Sequence, residues 1–346
     1  MISLYLERYP ATRIRELIMQ TTTLNEIPDT VRNLARQLFR RLTPVDFLVV
    51  CHCSIMILLL SLRVRTEGAA AIEFILRYAA IMSVSLFAIP ALDRSQHPLV
   101  RLPAVQFLRY IYPVFLMTPF YQWSYPISRM FFAAPFDEFL ARADVMLFGF
   151  NVSRDLVHRC GDRAWLTEWL NLSYLSYYLI TLYLPFYLYA SKRTREFFYA
   201  AFIIGSVMFT CFVFESIFPA RGPIHYDPAV KGYLVAGPIS EFARVFLSRV
   251  DIPGAALPSS HIAGTVAVLL LARRYARPAF WITLPFAASL CVATVYGRYH
   301  YAVDGIAGLV VALAYVYWIG PRLYERLFPE MQPETFATVR EITTPA

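Results

Sequence analysis

Apolar residues run through most of the chain in stretches that approach the thickness of a lipid bilayer. A transmembrane helix needs roughly 20 consecutive, mostly apolar residues. Eight stretches come close to this length, at about residues 45–62, 71–91, 107–123, 169–190, 198–218, 260–271, 280–296 and 302–319. The sixth is short and needs residues 259–274 to complete a crossing. The pattern predicts an all-α, polytopic transmembrane bundle of about eight spans.

Polar segments divide the chain into one predicted membrane domain and two extensions. Residues 1–44 are arginine-rich and weakly amphipathic, and they predict a cytosolic or interfacial segment. Residues 45–320 form the predicted transmembrane domain, and residues 321–346 form a predicted cytosolic tail. Within residues 124–168, the stretch FDEFLARADVMLFG alternates apolar and charged residues at helical spacing. It predicts an interfacial amphipathic helix; a cap packed on the helix ends fits the pattern equally well.

Basic residues mark one side of the predicted bundle. With eight spans, the loops Ser191–Arg195 and Arg273–Arg277 lie on the same side as both termini. Short loops rich in Lys and Arg stay in the cytoplasm, so this side is predicted to be cytoplasmic. Arg63 and Arg65 depart from the rule. The segments predicted on the outer side are residues 124–168, residues 219–258 and the turn at Arg298.

The composition is typical of a membrane protein and argues against a nucleic-acid partner. Hydrophobic residues make up 58% of the chain and charged residues only 16%, whereas soluble proteins carry about a quarter charged residues. The net charge of +8 comes from basic residues that punctuate apolar runs, so no nucleic-acid partner is predicted. The five cysteines are scattered, and the chain shows no metal-ligand spacing. We therefore predict no metal and no cofactor.

Three of the six histidines lie at predicted outer ends of spans. His225 follows the fifth span, His261 opens the sixth and His300 opens the eighth. His261 and His300 are 39 residues apart, about the length of one crossing inward, a short turn and one crossing back. Both histidines are therefore predicted to return to the same face of the membrane at similar depth.

His300 and Asp304 are four residues apart at a helix start, which stacks them on one helix face. A carboxylate there can accept the Nδ1 proton and leave Nε2 as a nucleophile or base. Interfacial placement of His300 and simple capping by Asp304 would explain the same residues.

Pro258-Ser259-Ser260-His261 predicts a second helix start. Unpaired N–H groups and serine hydroxyls at such a start can bind an anion, although an ordinary serine cap is the plainer interpretation. Arg221 and Arg298 add cations on the same side, suited to phosphate oxygens or to lipid headgroups.

These segments resemble the motifs of the type 2 phosphatidic acid phosphatase superfamily, over about residues 105–320. Pro258–His261 resembles its second motif, P-S-[GS]-H; Tyr296, His300 and Asp304, followed by Gly308, resemble its third. Ala293 and Thr294 replace the usual Ser-Arg of the third motif, and Arg298 could supply the missing cation.

Three further features are similar to the inositol phosphorylceramide synthase branch of that superfamily. They are the Pro219–Pro223 segment, the His300-Tyr301-Ala302-Val303-Asp304 form and the Asp137…Asp144…Leu147-Phe148-Gly149 stretch. The resemblance implies a six-helix phosphatase-like core, a nucleophilic His300, His261 as acid and base, and Asp304 as the residue that orients the nucleophile. Phosphate would be held by the remaining predicted site residues: Arg221, Arg298, Ser259, Ser260 and His225.

The sequence therefore predicts a membrane-embedded lipid phosphotransferase that moves an inositol phosphate-like headgroup through a phosphohistidine on the non-cytoplasmic face. Its partners would be a phospholipid or other lipid phosphate, a lipid or polyol acceptor, and the bilayer, with the lipid tail in the bilayer. Water as acceptor would make it a phosphatase. A headgroup-binding membrane protein without catalysis would keep the arginines but would need no His300–Asp304 pair. A transporter would rely on ionisable residues at mid-membrane, such as Glu73 and Arg77.

Overall fold

The computed structural model describes residues 42–160, 163–230 and 232–333. The predicted segment 1–44 lies outside these ranges except for residues 42–44, and half of the predicted tail 321–346 lies outside them. The described residues form helices and no strand. The main helices are α1 Pro44–Ser61, α2 Ala69–Leu92, α3 Pro103–Phe131, α4 Asp137–Phe148, α5 Val152–Arg159, α6 Ala164–Leu175, α7 Tyr177–Ala190, α8 Thr194–Glu215, α9 Pro238–Val250, α10 Ser260–Tyr275, α11 Arg277–Tyr296 and α12 Ala302–Leu327.

Five helices among the described residues, α1, α2, α8, α11 and α12, are long and apolar enough to cross a membrane. The other three predicted spans coincide with helices that miss this criterion. The fourth differs most from the expectation: a turn at Ser176 divides it into α6 and α7, and α6 begins at Ala164. The described residues are therefore all-helical with five candidate membrane spans, consistent with an integral membrane protein, and the count of eight stays a prediction.

Helix α8 is the centre of the bundle. Its most apolar window is 78% buried, whereas that of α2 is 17% buried and lies at the periphery. Helices α1, α3, α7, α10 and α12 all pack on α8. The side chains on α8 are therefore surrounded by protein over most of the helix length, and the helices that carry the candidate site residues, α10 and α12, are positioned against it.

A buried ion pair ties α1 to α3. The Arg109 guanidinium donates to both carboxylate oxygens of Asp46, at 2.9 and 2.7 Å, and to Asp93 at 2.8 Å. The side chains of Arg109 and Asp46 are 2% and 0% exposed. Asp46 also accepts a hydrogen bond from the backbone N–H of Thr43 and thereby caps α1. Each buried charge therefore has an oppositely charged partner, as burial requires.

We expect Arg109→Met to lower the unfolding free energy by about 3–5 kcal/mol, because it leaves Asp46 buried without its partner. Arg142→Met is the matched control: Arg142 pairs with Glu138 on an exposed surface, where such pairs contribute less than about 1 kcal/mol. Denaturant unfolding in detergent measures both variants. Equal losses of stability in the two variants would show that the buried pair contributes no more to the unfolding free energy than the exposed pair.

Candidate active site

Three loops bring the predicted histidines to one end of the bundle. The imidazole centroids of His261 and His300 are 5.8 Å apart, within reach of a single phosphate group. Around them is a small polar cavity lined by Tyr121, Tyr174, Arg221, Ile224, His225, Asp251, Ile252, Gly254, Ala255, His261, Tyr299 and His300. Four of the eight predicted site residues therefore line one cavity: Arg221, His225, His261 and His300.

His300 is held by a backbone carbonyl. Its Nδ1 lies 2.9 Å from the carbonyl oxygen of Ala256, whereas the nearest Asp304 carboxylate oxygen is 3.8 Å away. A carbonyl can only accept, so Nδ1 carries the proton and Nε2 keeps its lone pair. The sequence predicts that Asp304 accepts the Nδ1 proton, but in this geometry the Ala256 carbonyl accepts it and Asp304 is too distant for a hydrogen bond. Ala256 selects the tautomer, and Asp304 acts on the ring by charge.

Asp304 is fully buried behind His300. Its Oδ2 accepts a hydrogen bond from the backbone N–H of Tyr301 at 2.9 Å, which caps the first turn of α12. The carboxylate therefore stabilises the helix start and also places a negative charge next to the imidazole. That charge would favour any state in which the ring becomes positive.

His261 lies in the first turn of α10. Ser259 is the N-cap of that helix, and its hydroxyl accepts from the N–H of Ile262 at 3.4 Å. The hydroxyl of Tyr174 lies 3.2 Å from His261 Nε2, and the two rings stack at 5.2 Å. Nδ1 of His261 is buried and has no hydrogen-bond partner among the described residues. Tyr174 therefore orients the imidazole.

Two glycines, one in a loop and one in helix α12, allow the segments of the site to approach closely. Gly222 has φ +82°, and a Cβ there would lie 2.5 Å from the carbonyl oxygen of Tyr299. At Gly308 a Cβ would lie 2.4 Å from the carbonyl oxygen of Ser259. Backbone contacts join the same segments: Ser259 N–H donates to the Asp304 carbonyl at 3.0 Å. Larger residues at either glycine would separate these segments.

Helix α4 connects two of the loops through buried carboxylates. Asp137 accepts from the N–H groups of Arg221 and Gly222, both at 2.9 Å, and from the Tyr301 hydroxyl at 3.1 Å. Asp144 accepts from the first two N–H groups of α12 at 3.0 and 2.9 Å. Burial raises the pKa of both carboxyls, and the N–H donors oppose that effect. These bonds fix the Arg221 loop and the start of α12 relative to each other.

The predicted phosphate-binding residues occupy different positions. The Arg221 side chain faces the small cavity, and its Nε has no hydrogen-bond partner among the described residues. Arg298 lies outside the residues that line the cavity; it has φ +67°, and its guanidinium donates to the Val230 carbonyl at 3.4 Å. Ser260 lines a neighbouring, larger cavity, whereas Ser259 is fully buried.

Sequence reasoning did not identify three features of the site. Asp251 accepts a hydrogen bond from His225 Nε2 at 2.9 Å and from the Tyr233 hydroxyl at 3.3 Å. Tyr174 and the Ala256 carbonyl orient the two central histidines. Tyr174 and Asp251 carry no motif, and a carbonyl has no sequence signal at all. Within the described residues, no group of three or more His, Cys, Asp and Glu side chains could hold a metal ion.

We expect Asp137→Asn to loosen the Arg221 loop. Asp137 accepts three hydrogen bonds, and an amide would place an NH₂ group where one carboxylate oxygen now accepts. The loss should be about 2–4 kcal/mol in stability, with increased amide hydrogen exchange at Arg221 and Gly222. Glu138→Gln, at the neighbouring exposed carboxylate, is the control and should exchange like the wild type. Unchanged protection at these two amides in Asp137→Asn would contradict the role given to α4.

Comparison with known proteins assigns the chain to a family. A family model described as PAP2 superfamily matches residues 138–318, which is more than half of the 346 residues. The matched segment contains the loops of Arg221, His261 and His300. Searches of curated proteins and of solved structures found no match. The chain therefore belongs to the PAP2 superfamily, the type 2 phosphatidic acid phosphatases, whose members act as phosphatases or phosphotransferases on lipid phosphates.

Proposed function

We propose that the protein is a lipid phosphotransferase that moves a phosphate-containing headgroup, such as inositol phosphate, from a phospholipid to a lipid or polyol hydroxyl. The observation that carries the proposal is the orientation of His300. Its Nδ1 is occupied by the Ala256 carbonyl at 2.9 Å, so the Nε2 lone pair is available for attack on phosphorus. The ring of His261, a suitable acid and base, is 5.8 Å away.

The proposed reaction has two displacements. His300 Nε2 forms a bond to phosphorus as the bond to the leaving alcohol breaks, and His261 gives that oxygen a proton. The acceptor oxygen then forms a bond to phosphorus as the bond between phosphorus and His300 Nε2 breaks, and its hydroxyl proton passes to His261. Arg221 and nearby N–H groups stabilise the charge on the equatorial oxygens. The Asp304 carboxylate, 3.8 Å from the ring, stabilises the positive charge that develops on His300.

Hydrolysis is the second candidate. It uses the same first displacement with water as acceptor, and it would make the protein a lipid phosphate phosphatase. Transfer is favoured by the resemblance of Pro219–Pro223 and His300–Asp304 to the inositol phosphorylceramide synthase branch. Incubation of purified protein with labelled phospholipids, with and without acceptor, separates the two reactions. A new phospholipid supports transfer, and free headgroup phosphate supports hydrolysis.

Single substitutions test the residue roles in that assay. We expect His300→Ala to abolish turnover and His261→Ala to reduce it strongly, least for substrates with a good leaving group. Asp304→Asn should slow turnover by about 10²–10³-fold, the order of one charge interaction near 4 Å at intermediate dielectric. A larger loss, about 10⁴-fold, accompanies a wrong tautomer, which the Ala256 carbonyl should prevent.

His97→Ala is the control, because His97 is exposed in the segment between α2 and α3. It should match the wild type. Normal turnover in all three site variants would contradict the catalytic proposal. A membrane protein that binds lipid headgroups without catalysis would then be the better explanation.

We also propose that α3, the α6–α7 pair and α10 cross the membrane, which gives eight spans with the site on the non-cytoplasmic face. Arg193 donates to the Tyr275 carbonyl at 2.8 Å, so two basic loops lie together at the end of α10 opposite His261. Short basic loops remain cytoplasmic.

This orientation predicts how single cysteines at Ser191 and Ala229, both exposed, react in intact cells in a background that lacks the native cysteines. An impermeant thiol reagent should label Ala229→Cys and should label Ser191→Cys only after permeabilisation. The reverse pattern would place the site on the cytoplasmic face.

A further inference from the structure

A larger cavity opens from the site into the helix bundle. Its volume is about 400 Å³, and its walls are mostly apolar side chains. Tyr121, Tyr174, Asp251 and His261 line both this cavity and the small polar one. The two cavities therefore meet at the residues that surround His261.

The large cavity is a slot that runs along the helix axes. Its lining covers Tyr110–Tyr121 on α3, Tyr174–Pro185 on α6 and α7, and Ala201–Phe212 on α8. Each interval advances eleven residues, which corresponds to about 16 Å at 1.5 Å per residue. Three separate segments thus give the same depth, measured from the His261 end.

The end of the slot remote from His261 is closed. The ring of Phe107 packs against Phe186 at 5.6 Å and against Tyr189 at 5.1 Å. The Tyr189 hydroxyl donates to the Pro103 carbonyl at 2.9 Å. Helices α3 and α7 are therefore in contact beyond Tyr110 and Pro185, where the residues that line the slot end on both helices.

We propose that this slot holds one hydrocarbon chain of the lipid phosphate substrate, inside the bundle instead of in the surrounding bilayer. The proposal rests on the proposed function, because it seats the phosphate in the small polar cavity next to His300. An extended alkyl chain with bonds of ~1.5 Å and angles of ~111° advances about 1.25 Å per carbon. A depth of about 16 Å therefore accepts about a dozen carbons.

Chain length should then control affinity. Each buried methylene should strengthen binding about four-fold, until the chain reaches the closed end. The ligands for the test are n-alkylphosphonates of increasing length, which carry a phosphate-like headgroup and cannot be turned over. We expect the affinity of the wild type to rise with each carbon and to level off at about a dozen.

Two matched threonine substitutions locate the slot. Thr181 lies in its wall, seven residues from Tyr174, or about 10 Å from the His261 end. Thr283 on α11 lines neither cavity. Both hydroxyls donate to the carbonyl four residues earlier at 2.9 Å, so Thr→Phe removes the same local bond in each.

The affinity of Thr181→Phe should stop rising at about eight carbons. This variant should bind the 12-carbon phosphonate about 10²-fold more weakly than Thr283→Phe. The ratio between the two variants cancels partition of the ligand into detergent. Superimposable chain-length curves for these variants would overturn the proposal, as would a wild-type affinity that keeps rising well beyond a dozen carbons.

Ala201→Phe provides a second variant, should Thr181→Phe fail to fold. Ala201 lies at the closed end, so its replacement should shorten the tolerated chain by only one or two carbons. Phosphonate binding needs no turnover, and this separates the two proposals. If the protein is inactive but shows the expected chain-length limit, the slot proposal stands and the proposed function fails. If the protein is active but shows no such limit, only the slot proposal fails.

Discussion

The arrangement of the site depends on two buried carboxylates that bind backbone N–H groups. Asp137 and Asp144 lie on one short helix, α4, and accept hydrogen bonds from two loops that are far apart in the chain. A buried N–H without a partner is costly, and a bond to a charged acceptor contributes about 1.5–3 kcal/mol. The Arg221 loop and the start of α12 therefore have one favourable relative position.

That position gives the two central histidines different surroundings. His300 is held at Nδ1 by a carbonyl, which is itself in the loop that leads to Ser259. His261 is held at Nε2 by the Tyr174 hydroxyl. The free Nε2 lone pair of His300 suits a nucleophile. The hydrogen bond between His261 and a tyrosine hydroxyl suits a group that gives and takes a proton. The different roles proposed for two identical side chains follow from these two contacts.

Much of this arrangement could be predicted from the sequence. The 39-residue interval between His261 and His300 predicts that both return to the same face at similar depth, because helix rise and bilayer thickness are nearly constant, and the structure places the two rings 5.8 Å apart. The partners of these histidines could not be predicted. Tyr174 is 87 residues from His261, and the Ala256 carbonyl belongs to a backbone whose path no side-chain pattern encodes. Hydropathy also failed to show the turn at Ser176, because α6 and α7 are both apolar across the break.

A polar site at the end of the bundle opens into an apolar interior, and the proposed function depends on covalent chemistry at His300. This chemistry can be detected by mass spectrometry of peptides. Wild-type protein is allowed to turn over phosphatidylinositol or phosphatidic acid and is then quenched in alkali, which preserves phosphohistidine. We expect a mass addition on the peptide that contains His300, with phosphate or phosphoinositol distinguished by the added mass. An addition on the His261 or His225 peptide, or none during measurable turnover, would contradict it.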